Sequence, residues 1–395
     1  MIESDVRSQD STKSSATNTR VLLFTFSTQG ATVDYPAKLA NGLAKIAEVH
    51  VVCPEDPTVQ ELFDDAVTAH PYQTKLKPGI RAIPTGTRGL IEQFRLIRDI
   101  DPDIIHFPFL TPLRSVSLLP LLATLGTPMI GTIHDPISHS GMQVGPRNLD
   151  LGGRVNATAS HLLDRVIVHG EECKRQASTL WYPTERISIV PHGLFDHFAE
   201  YDYEEAPTED ATVLFFGNIR PNKGYDRIPE ILDRVEESVP EVTALVAGSP
   251  SRARAVDNER VESIISRLED DNRVELHNRF IPNEEVGTFF SRATVVALPY
   301  YDASFSGVAM IAYSFIVPMV APDVGDLGRL LRTDRSGTVT ENDSRAIADG
   351  ITELLTDDVH RGECRQNIVS NRSRYRWDNI AQEILEVYRA AMKEI

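Results

Sequence analysis

Short apolar runs alternate along the chain with longer segments that have helical spacing. Residues 21–26 are almost continuously apolar, as a strand buried on both faces should be, and residues 35–47 follow with the spacing of a helix. This alternation is typical of βαβ units and parallel sheets. Five further strands are predicted in the first half of the chain, at residues 49–53, 104–107, 129–133, 166–168 and 187–190.

The pattern stops at residues 196–212, which are acidic and poor in aliphatic side chains, and then begins again. In the second half, strands are predicted at residues 213–216, 242–246, 274–276, 295–298 and 319–321, and helices at 226–237, 259–268, 284–291, 305–315 and 346–355. The prediction is a two-lobed α/β protein with two Rossmann-like doubly wound lobes and a cleft between them.

The domain boundaries follow from this pattern. Residues 20–195 form an N-terminal lobe, 196–212 a linker, and 213–375 a C-terminal lobe. Apolar side chains at helical spacing predict that residues 376–395 form a helix that packs back on the body of the protein. Residues 1–19 are polar and rich in Ser and Thr, which predicts a disordered tail.

The charge of the chain excludes nucleic acid as a partner, and it is compatible with more than one kind of source organism. The 395 residues carry a net charge of −17, which excludes a phosphate-tracking nucleic-acid binder. Only eight of the 40 basic residues are lysines. That imbalance fits either a halophilic protein or a genome that favours arginine codons.

No secretory leader or membrane span is expected. The first residues contain no apolar core of a signal peptide, and the least polar stretch, residues 115–133, is broken by proline and glycine. The sequence therefore predicts a cytoplasmic protein, with peripheral contact at the inner face of the membrane left open. Three dispersed cysteines indicate neither a disulfide framework nor a metal site.

Two loops of the C-terminal lobe follow strands, where open α/β sheets bind ligands. The sequence G-N-I-R-P-N-K-G at residues 217–224 offers glycines for close backbone approach and two cations, Arg220 and Lys223, that could bracket a diphosphate. The alternative is a solvated turn with two surface cations. The sequence D-A-S-F-S-G-V at residues 302–308 precedes a helix whose free N–H groups would favour a phosphate, unless Ser304 or Ser306 simply caps it.

A histidine ends a strand of the N-terminal lobe. His134, in G-T-I-H-D, could donate a hydrogen bond or carry a proton, although a structural role is the alternative. His106 and His192 are predicted to be structural. The D-x-D from Asp101 to Asp103 precedes a strand instead of following one, so no metal and no cofactor is expected.

Together these segments resemble glycosyltransferase family 4, retaining enzymes of the GT-B fold. The loop at residues 217–224 is similar to the family's G-x-x-x-x-x-K-G loop, and I-V-P-H-G at 189–193 is similar to its I-P-N/H-G stretch. P-M-V-A-P-D-V-G at 318–325 and D-R-V-I-V-H at 164–169 resemble two further family segments, as does Trp377 in the last helix. The resemblance is weakest across residues 53–89.

The resemblance implies roles for individual residues. Gly217, Arg220 and Lys223, together with the backbone of Ser306 and Gly307, would hold the diphosphate of a nucleotide-sugar, and His134 would contact the transferred sugar. The family's E-x7-E motif is missing, because Ala303 and Ile311 or Ser304 and Ala312 stand at its positions. The chain resembles a divergent branch with S-G-V in this loop. Asp302 or Asp326 could supply the missing carboxylate, and Asp302 is the candidate taken as catalytic.

The expected function is transfer of a hexose from a nucleotide-sugar to a glycan or lipid-linked acceptor, in surface glycoprotein N-glycan or polysaccharide assembly. Two alternatives remain at this stage, a nucleotide-sugar 2-epimerase and a catalytically degenerate nucleotide-binding scaffold. A Rossmann dehydrogenase is disfavoured because no G-x-G-x-x-G follows the first strand.

Overall fold

The structure is a computed structural model of the whole chain. It describes residues 19–72, 82–110, 118–136, 161–180, 183–202, 211–250 and 255–394. The predicted disordered tail therefore lies outside the described residues, except for its last member, Thr19. The same is true of residues 203–210 of the predicted linker.

The N-terminal lobe is built on a parallel sheet of seven strands in the order β3-β2-β1-β4-β5-β6-β7. The central strand β1 has side chains buried on both faces, as its apolar run predicted. The strands are β1 (Arg20–Phe24), β2 (Glu48–Pro54), β3 (Val67–Tyr72), β4 (Ile104–Phe107), β5 (Met129–Thr132), β6 (Arg165–Val168) and β7 (Ile187–Ile189).

The C-terminal lobe contains a second parallel sheet, of six strands in the order β10-β9-β8-β11-β12-β13. Its strands are β8 (Thr212–Phe216), β9 (Thr243–Ala247), β10 (Val274–His277), β11 (Val295–Ala297), β12 (Met319–Pro322) and β13 (Gly337–Thr340). Two parallel sheets with the strand order of doubly wound folds confirm the predicted fold class. β8 begins at Thr212, which the sequence pattern had placed in the linker.

Helices cover the faces of both sheets. In the described part of the N-terminal half, helices include α1 (Ala31–Ala44), α2 (Pro57–Gln60), α3 (Ala82–Ile100) and α4 (Glu171–Leu180). The others are α5 (Ile228–Glu236), α6 (Ala255–Glu269), α7 (Asn283–Arg292), α8 (Gly307–Phe315), α9 (Gly325–Asp334), α10 (Ser344–Thr356), α11 (Asp358–Asn371) and α12 (Trp377–Lys393). No helix in the described part of the chain is both long enough and apolar enough to cross a bilayer.

The last helix, α12, returns from the C-terminal lobe and packs on α1 of the N-terminal lobe. Its apolar face, including Ile380 and Ile384, belongs to the same buried cluster as Leu39 of α1. A Cβ at Gly42 would lie 2.8 Å from the Trp377 carbonyl oxygen, so glycine permits this close crossing. The Trp377 indole N–H donates to the Leu194 carbonyl at 2.6 Å, which ties the start of α12 to the segment that leaves the N-terminal lobe.

A buried carboxylate also joins the two lobes. Asp326, in the first turn of α9, is only 4% exposed. It accepts hydrogen bonds from the backbone N–H groups of Glu172 and Cys173, at 3.1 and 3.0 Å. An acidic group from the C-terminal lobe thus caps α4 of the N-terminal lobe, where the helix dipole favours negative charge.

Candidate active site in the cleft between the lobes

The two loops singled out in the C-terminal lobe follow neighbouring strands. β8 leads into residues 217–224, and β11, which pairs with β8 in parallel, leads into residues 298–306. Since the carboxyl ends of parallel strands meet at one edge of a sheet, the two loops lie side by side.

Gly217 begins the first loop with a backbone conformation that favours glycine. Its φ is +107°, and an added Cβ would lie 3.3 Å from Cγ2 of Val308, in the first turn of α8. The Gly217 N–H donates to the Ala247 carbonyl at 2.9 Å, and its own carbonyl accepts from the Tyr225 hydroxyl at 2.9 Å. The loop is therefore fixed at its start, directly beside the beginning of α8.

Lys223 lies at the end of a 3₁₀ turn, Pro221–Lys223, and its side chain points to Tyr300 of the second loop. The Lys223 Nζ is 3.6 Å from the centre of the Tyr300 ring. The backbones of the two loops also touch, since the Tyr301 N–H donates to the Asn222 carbonyl at 2.9 Å. A Cβ at Gly224 would lie 1.9 Å from the Pro299 carbonyl oxygen, so this contact requires glycine.

The cations of this region fall into two kinds. The buried Arg227 is engaged structurally, because it lies over the Tyr301 ring at 3.6 Å and donates to the Pro299 carbonyl and to Asn342. Arg220 and Lys223 are half-buried, and the Arg220 Nε is enclosed without a hydrogen-bond partner among the described residues. Neither Arg220 nor Lys223 forms an ion pair with another described residue, whereas Arg227 is held by the fold.

Ser306 occupies the N-cap position of α8, but no side chain caps this helix. The Ser306 hydroxyl is buried and instead lies 3.2 Å from the Tyr300 hydroxyl. Neither Ser304 nor Ser306 therefore caps the first turn of α8, and the positive end of this helix carries no side-chain cap. An added Cβ at Gly307 would lie 3.3 Å from the Phe195 ring, which is buried in the apolar cluster of the C-terminal lobe.

Tyr300 connects the parts of this site. Its ring contacts Lys223 and its hydroxyl contacts Ser306, so a single side chain holds the cationic turn and the start of α8 together. The sequence alone carries no signal for this role of Tyr300, because a tyrosine at the end of an apolar strand is indistinguishable from a core residue.

The two acidic candidates differ in their surroundings. Asp302 lies half-buried in the loop between β11 and α8. Asp326, the alternative to it, is engaged in capping α4 and is therefore not available to a sugar hydroxyl in this arrangement. Ala303 and Ile311, at the positions of the missing glutamates, are buried among apolar side chains.

His134 lies on the N-terminal side of the cleft with both ring nitrogens engaged. Its Nε2 donates to the Pro108 carbonyl at 3.0 Å, and its Nδ1 is 3.1 Å from the Nε2 of His169. The ring stacks on Phe109 with the centres 3.9 Å apart. Burial and the neighbouring histidines hold the pKa of His134 well below its usual value, so the ring is neutral at pH 7.

His169 and His192 complete a cluster with His134 that sequence analysis did not recognise. Burial lowers the pKa of His169 to about 4 and that of His192 to about 3. Phe305 of the C-terminal lobe stacks on the His192 ring, with the centres 5.6 Å apart. The loop that leads to Ser306 therefore closes directly over the histidines of the other lobe. The signal in the sequence that could have revealed this cluster is that each of the three histidines follows a predicted strand.

Two family models match the chain, one on each lobe. The model described as Glycosyltransferase Family 4 matches residues 35–195, and the model described as Glycosyl transferases group 1 matches residues 210–357. Both loops of the candidate site fall within the second match, and the three clustered histidines fall within the first.

The curated relatives of this chain are also named as glycosyltransferases. The chain is 30% identical over 199 residues to a D-inositol 3-phosphate glycosyltransferase of Nocardioides, a match covering 48% of this chain and 43% of that protein. It is 26% identical over 284 residues to an enzyme of the same name from Acidothermus cellulolyticus, covering 68% of this chain and 63% of that protein. The chain thus spans about half to just under two thirds of the length of these relatives.

Solved structures show the same fold at low sequence identity. Anabaena HepE, in complex with UDP and glucose, superimposes with a TM-score of 0.70 at 17% identity, covering 94% of this chain and 99% of that one. Sucrose-phosphate synthase from Thermosynechococcus elongatus gives 0.69 at 17% identity, covering 95% and 100%. With both lobes matched by glycosyltransferase models and the fold shared along the chain, this protein belongs to the GT-B glycosyltransferases of the family 4 type.

Proposed function

We propose that the protein transfers a hexose from a nucleotide-sugar to a saccharide or lipid-linked saccharide, with the donor diphosphate held in the C-terminal lobe. Arg220 and Lys223 would contact the phosphates from one side. The backbone N–H groups of Ser306 and Gly307, at the start of α8, would contact them from the other side.

One observation carries this proposal, namely the convergence of Lys223 and Ser306 on Tyr300. The Lys223 ammonium lies 3.6 Å from the centre of the Tyr300 ring, and the Ser306 hydroxyl lies 3.2 Å from the Tyr300 hydroxyl oxygen. A cation and an uncapped helix start on one wall of a cleft form a site for a dianionic group. Had the two loops lain on opposite sides of the lobe, no single ligand could have reached both.

The neighbours support a nucleotide-sugar as the donor. HepE, which has the same fold, has been solved with UDP and with UDP-glucose. Uridine and glucose are therefore the first donor components to test. The names of the curated relatives add an inositol phosphate to the panel of acceptors.

The proposed chemistry breaks the bond between the sugar C1 and the β-phosphate oxygen and forms one between C1 and an acceptor oxygen. The nucleoside diphosphate leaves with the bonding electrons, and its departing phosphate oxygen takes up the proton that the acceptor hydroxyl loses. Negative charge grows on the departing phosphate, so fixed cations stabilise the transition state more than the bound donor. Closure of Phe305 over His192 would exclude water that could hydrolyse the donor.

The remaining roles are assigned from position. His134 would face the transferred sugar, and it could bond to a hydroxyl only by giving up its contact with Pro108 or His169. Asp302 would lie at the sugar end of the diphosphate, as the substitute for a missing glutamate. Retention of the anomeric configuration is proposed from the family, and the diphosphate is proposed to be held by protein cations instead of a metal ion.

The test is a donor screen followed by two matched variants. Purified full-length chain is screened by thermal shift against UDP-, GDP- and ADP-sugars in low and high salt, because a ligand that prefers the folded state raises the Tm. With the donor that binds, Lys223→Ala is expected to lower turnover by about 100- to 1,000-fold, the usual cost of removing one charge-stabilising donor. Unchanged turnover in Lys223→Ala would contradict the proposal.

A control and two alternative outcomes complete the experiment. Arg279→Ala removes a cation of the same lobe that pairs with Glu285 on the surface, and it should leave turnover unchanged. Conversion of the donor to its 2-epimer without acceptor would identify an epimerase instead. Donor binding without turnover on any saccharide, lipid-linked saccharide or inositol phosphate acceptor would identify a nucleotide-binding scaffold.

A further inference from the structure

The three clustered histidines follow three neighbouring strands of the N-terminal sheet. His134 comes two residues after β5, His169 directly after β6, and His192 three residues after β7. Parallel strands bring all three to one edge of the sheet, with ring centres 4.7, 4.9 and 6.0 Å apart. Among the residues that the structure describes, this is the one group of three potential metal ligands close enough to share an ion.

Each of the three rings uses one nitrogen to bond a backbone carbonyl. These bonds are His134 Nε2 to Pro108 at 3.0 Å, His169 Nδ1 to Val190 at 3.0 Å, and His192 Nδ1 to Gly193 at 2.7 Å. A carbonyl only accepts, so the nitrogen that faces it carries the ring proton. The other nitrogen of each ring then carries a lone pair. Histidines that bind metals typically donate one ring N–H to a carbonyl in this way and bind the metal through the other nitrogen.

Two of these lone pairs face each other. His134 Nδ1 and His169 Nε2 are 3.1 Å apart, a separation that is unfavourable for two acceptors unless a cation lies between them. In a tetrahedral zinc site with bonds of about 2.0–2.1 Å, ligand nitrogens lie roughly 3.3 Å apart. One nitrogen from each of the three rings lies within 4.8 Å of the others, so metal binding would require the rings to move closer together.

We propose that His134, His169 and His192 form a binding site for a late first-row divalent metal ion, with Zn²⁺ as the reference ion. Three neutral imidazoles suit zinc, copper, nickel or iron, whereas Mg²⁺ and Ca²⁺ prefer oxygen ligands. The ion would tie the ends of β5, β6 and β7 together beneath Phe305. It is separate from the diphosphate contacts of the C-terminal lobe. With the ion bound, both ring nitrogens of His134 would be occupied, so His134 would then not bond a sugar hydroxyl. The proposal departs from the expectation of no metal that followed from the D-x-D at Asp101 and Asp103.

Metal binding can be measured without donor or acceptor, so this proposal and the transferase proposal can fail independently. The full-length chain, stripped with a chelator, is titrated with Zn²⁺ by calorimetry and with Co²⁺ by visible absorption. One ion per chain is expected, with an intense Co²⁺ spectrum typical of tetrahedral coordination, whereas Mg²⁺ and Ca²⁺ should not bind. Zn²⁺ should also raise the Tm.

His169→Gln removes one ligand and should weaken Zn²⁺ binding by about 100-fold or more, since the loss of an outer-shell contact alone costs about 10- to 100-fold. The matched control is His70→Gln. It breaks the other close imidazole pair, His50 and His70 at 2.9 Å, and should leave Zn²⁺ affinity unchanged.

The proposal is overturned if the wild-type chain binds no stoichiometric Zn²⁺ or Co²⁺, or if bound Co²⁺ shows only a weak octahedral spectrum. Equal affinity in His169→Gln and wild type would overturn it as well. Should His169→Gln not fold, His192→Gln replaces it. The Co²⁺ spectrum of the wild-type chain needs no variant and decides by itself whether the ion is held in tetrahedral coordination.

Discussion

Asp326 offers a direct test of how the two lobes hold each other. Its carboxylate is 4% exposed and accepts the N–H groups of Glu172 and Cys173 at the start of α4. Loss of an N-cap costs about 0.5–2 kcal/mol, and a charge at a partly buried helix end contributes up to about 2 kcal/mol. Asp326→Ala should therefore lower the free energy of unfolding by about 2–3 kcal/mol. Asp326→Asn, which keeps an acceptor, should cost roughly half as much.

Thermal unfolding monitored by circular dichroism measures this effect. In a lobe of roughly 150–250 residues, each kcal/mol shifts the Tm by about 2–4 °C, so Asp326→Ala should lower it by roughly 5–10 °C. The control is Asp323→Ala, because Asp323 is exposed and pairs with Arg332 on the surface. If Asp326→Ala melts within about 1 °C of the wild type, the interlobe cap does not stabilise the protein and the reasoning is refuted.

Three further predictions concern stability. Gly325→Ala should lower the free energy of unfolding by more than about 2 kcal/mol. Gly325 has φ +52°, and the new Cβ would lie 1.8 Å from the Ala303 carbonyl oxygen. A melting curve like that of the wild type would contradict this prediction. Trp377→Phe should lower the free energy of unfolding by about 1–2 kcal/mol in urea titrations through loss of the indole bond to Leu194, with Trp377→Tyr as the comparison. Burial lowers the pKa of His106 to about 3, so the unfolded chain takes up its proton first as the pH falls below about 6.5. This residue should therefore cost about 2 kcal/mol of stability between pH 7 and pH 5, and His106→Gln should lose less stability over that range than the wild type.

The sequence pattern located the inner strands of both sheets. All six strands predicted in the N-terminal lobe and all five in the C-terminal lobe are present within a few residues. Most of them are buried on both faces and so consist of continuous apolar runs. The helices at residues 284–291 and 259–268 were also found, as α7 and α6, because one apolar face repeats at helical spacing.

The two strands that the pattern missed are both at sheet edges. β3 contains His70 and Pro71, and β13 is a run of glycine, threonine and valine whose residues are all half-buried. Edge strands bury less apolar surface, and they tolerate proline because one side of their backbone is unpaired. Their sequences consequently look like loops until a neighbouring strand is known.

The sequence by itself determined the fold class with its two lobes, and it predicted the cationic loop and the helix start as the donor site, because glycines, cations and apolar runs act locally. Only the tertiary structure decided which side chains that are far apart in the sequence come into contact. Tyr300 between Lys223 and Ser306, Asp326 on the start of α4, and the cluster of His134, His169 and His192 all depend on which strands are neighbours. Contacts between residues far apart in the chain form at strand ends brought together by sheet order, and no local pattern encodes that order.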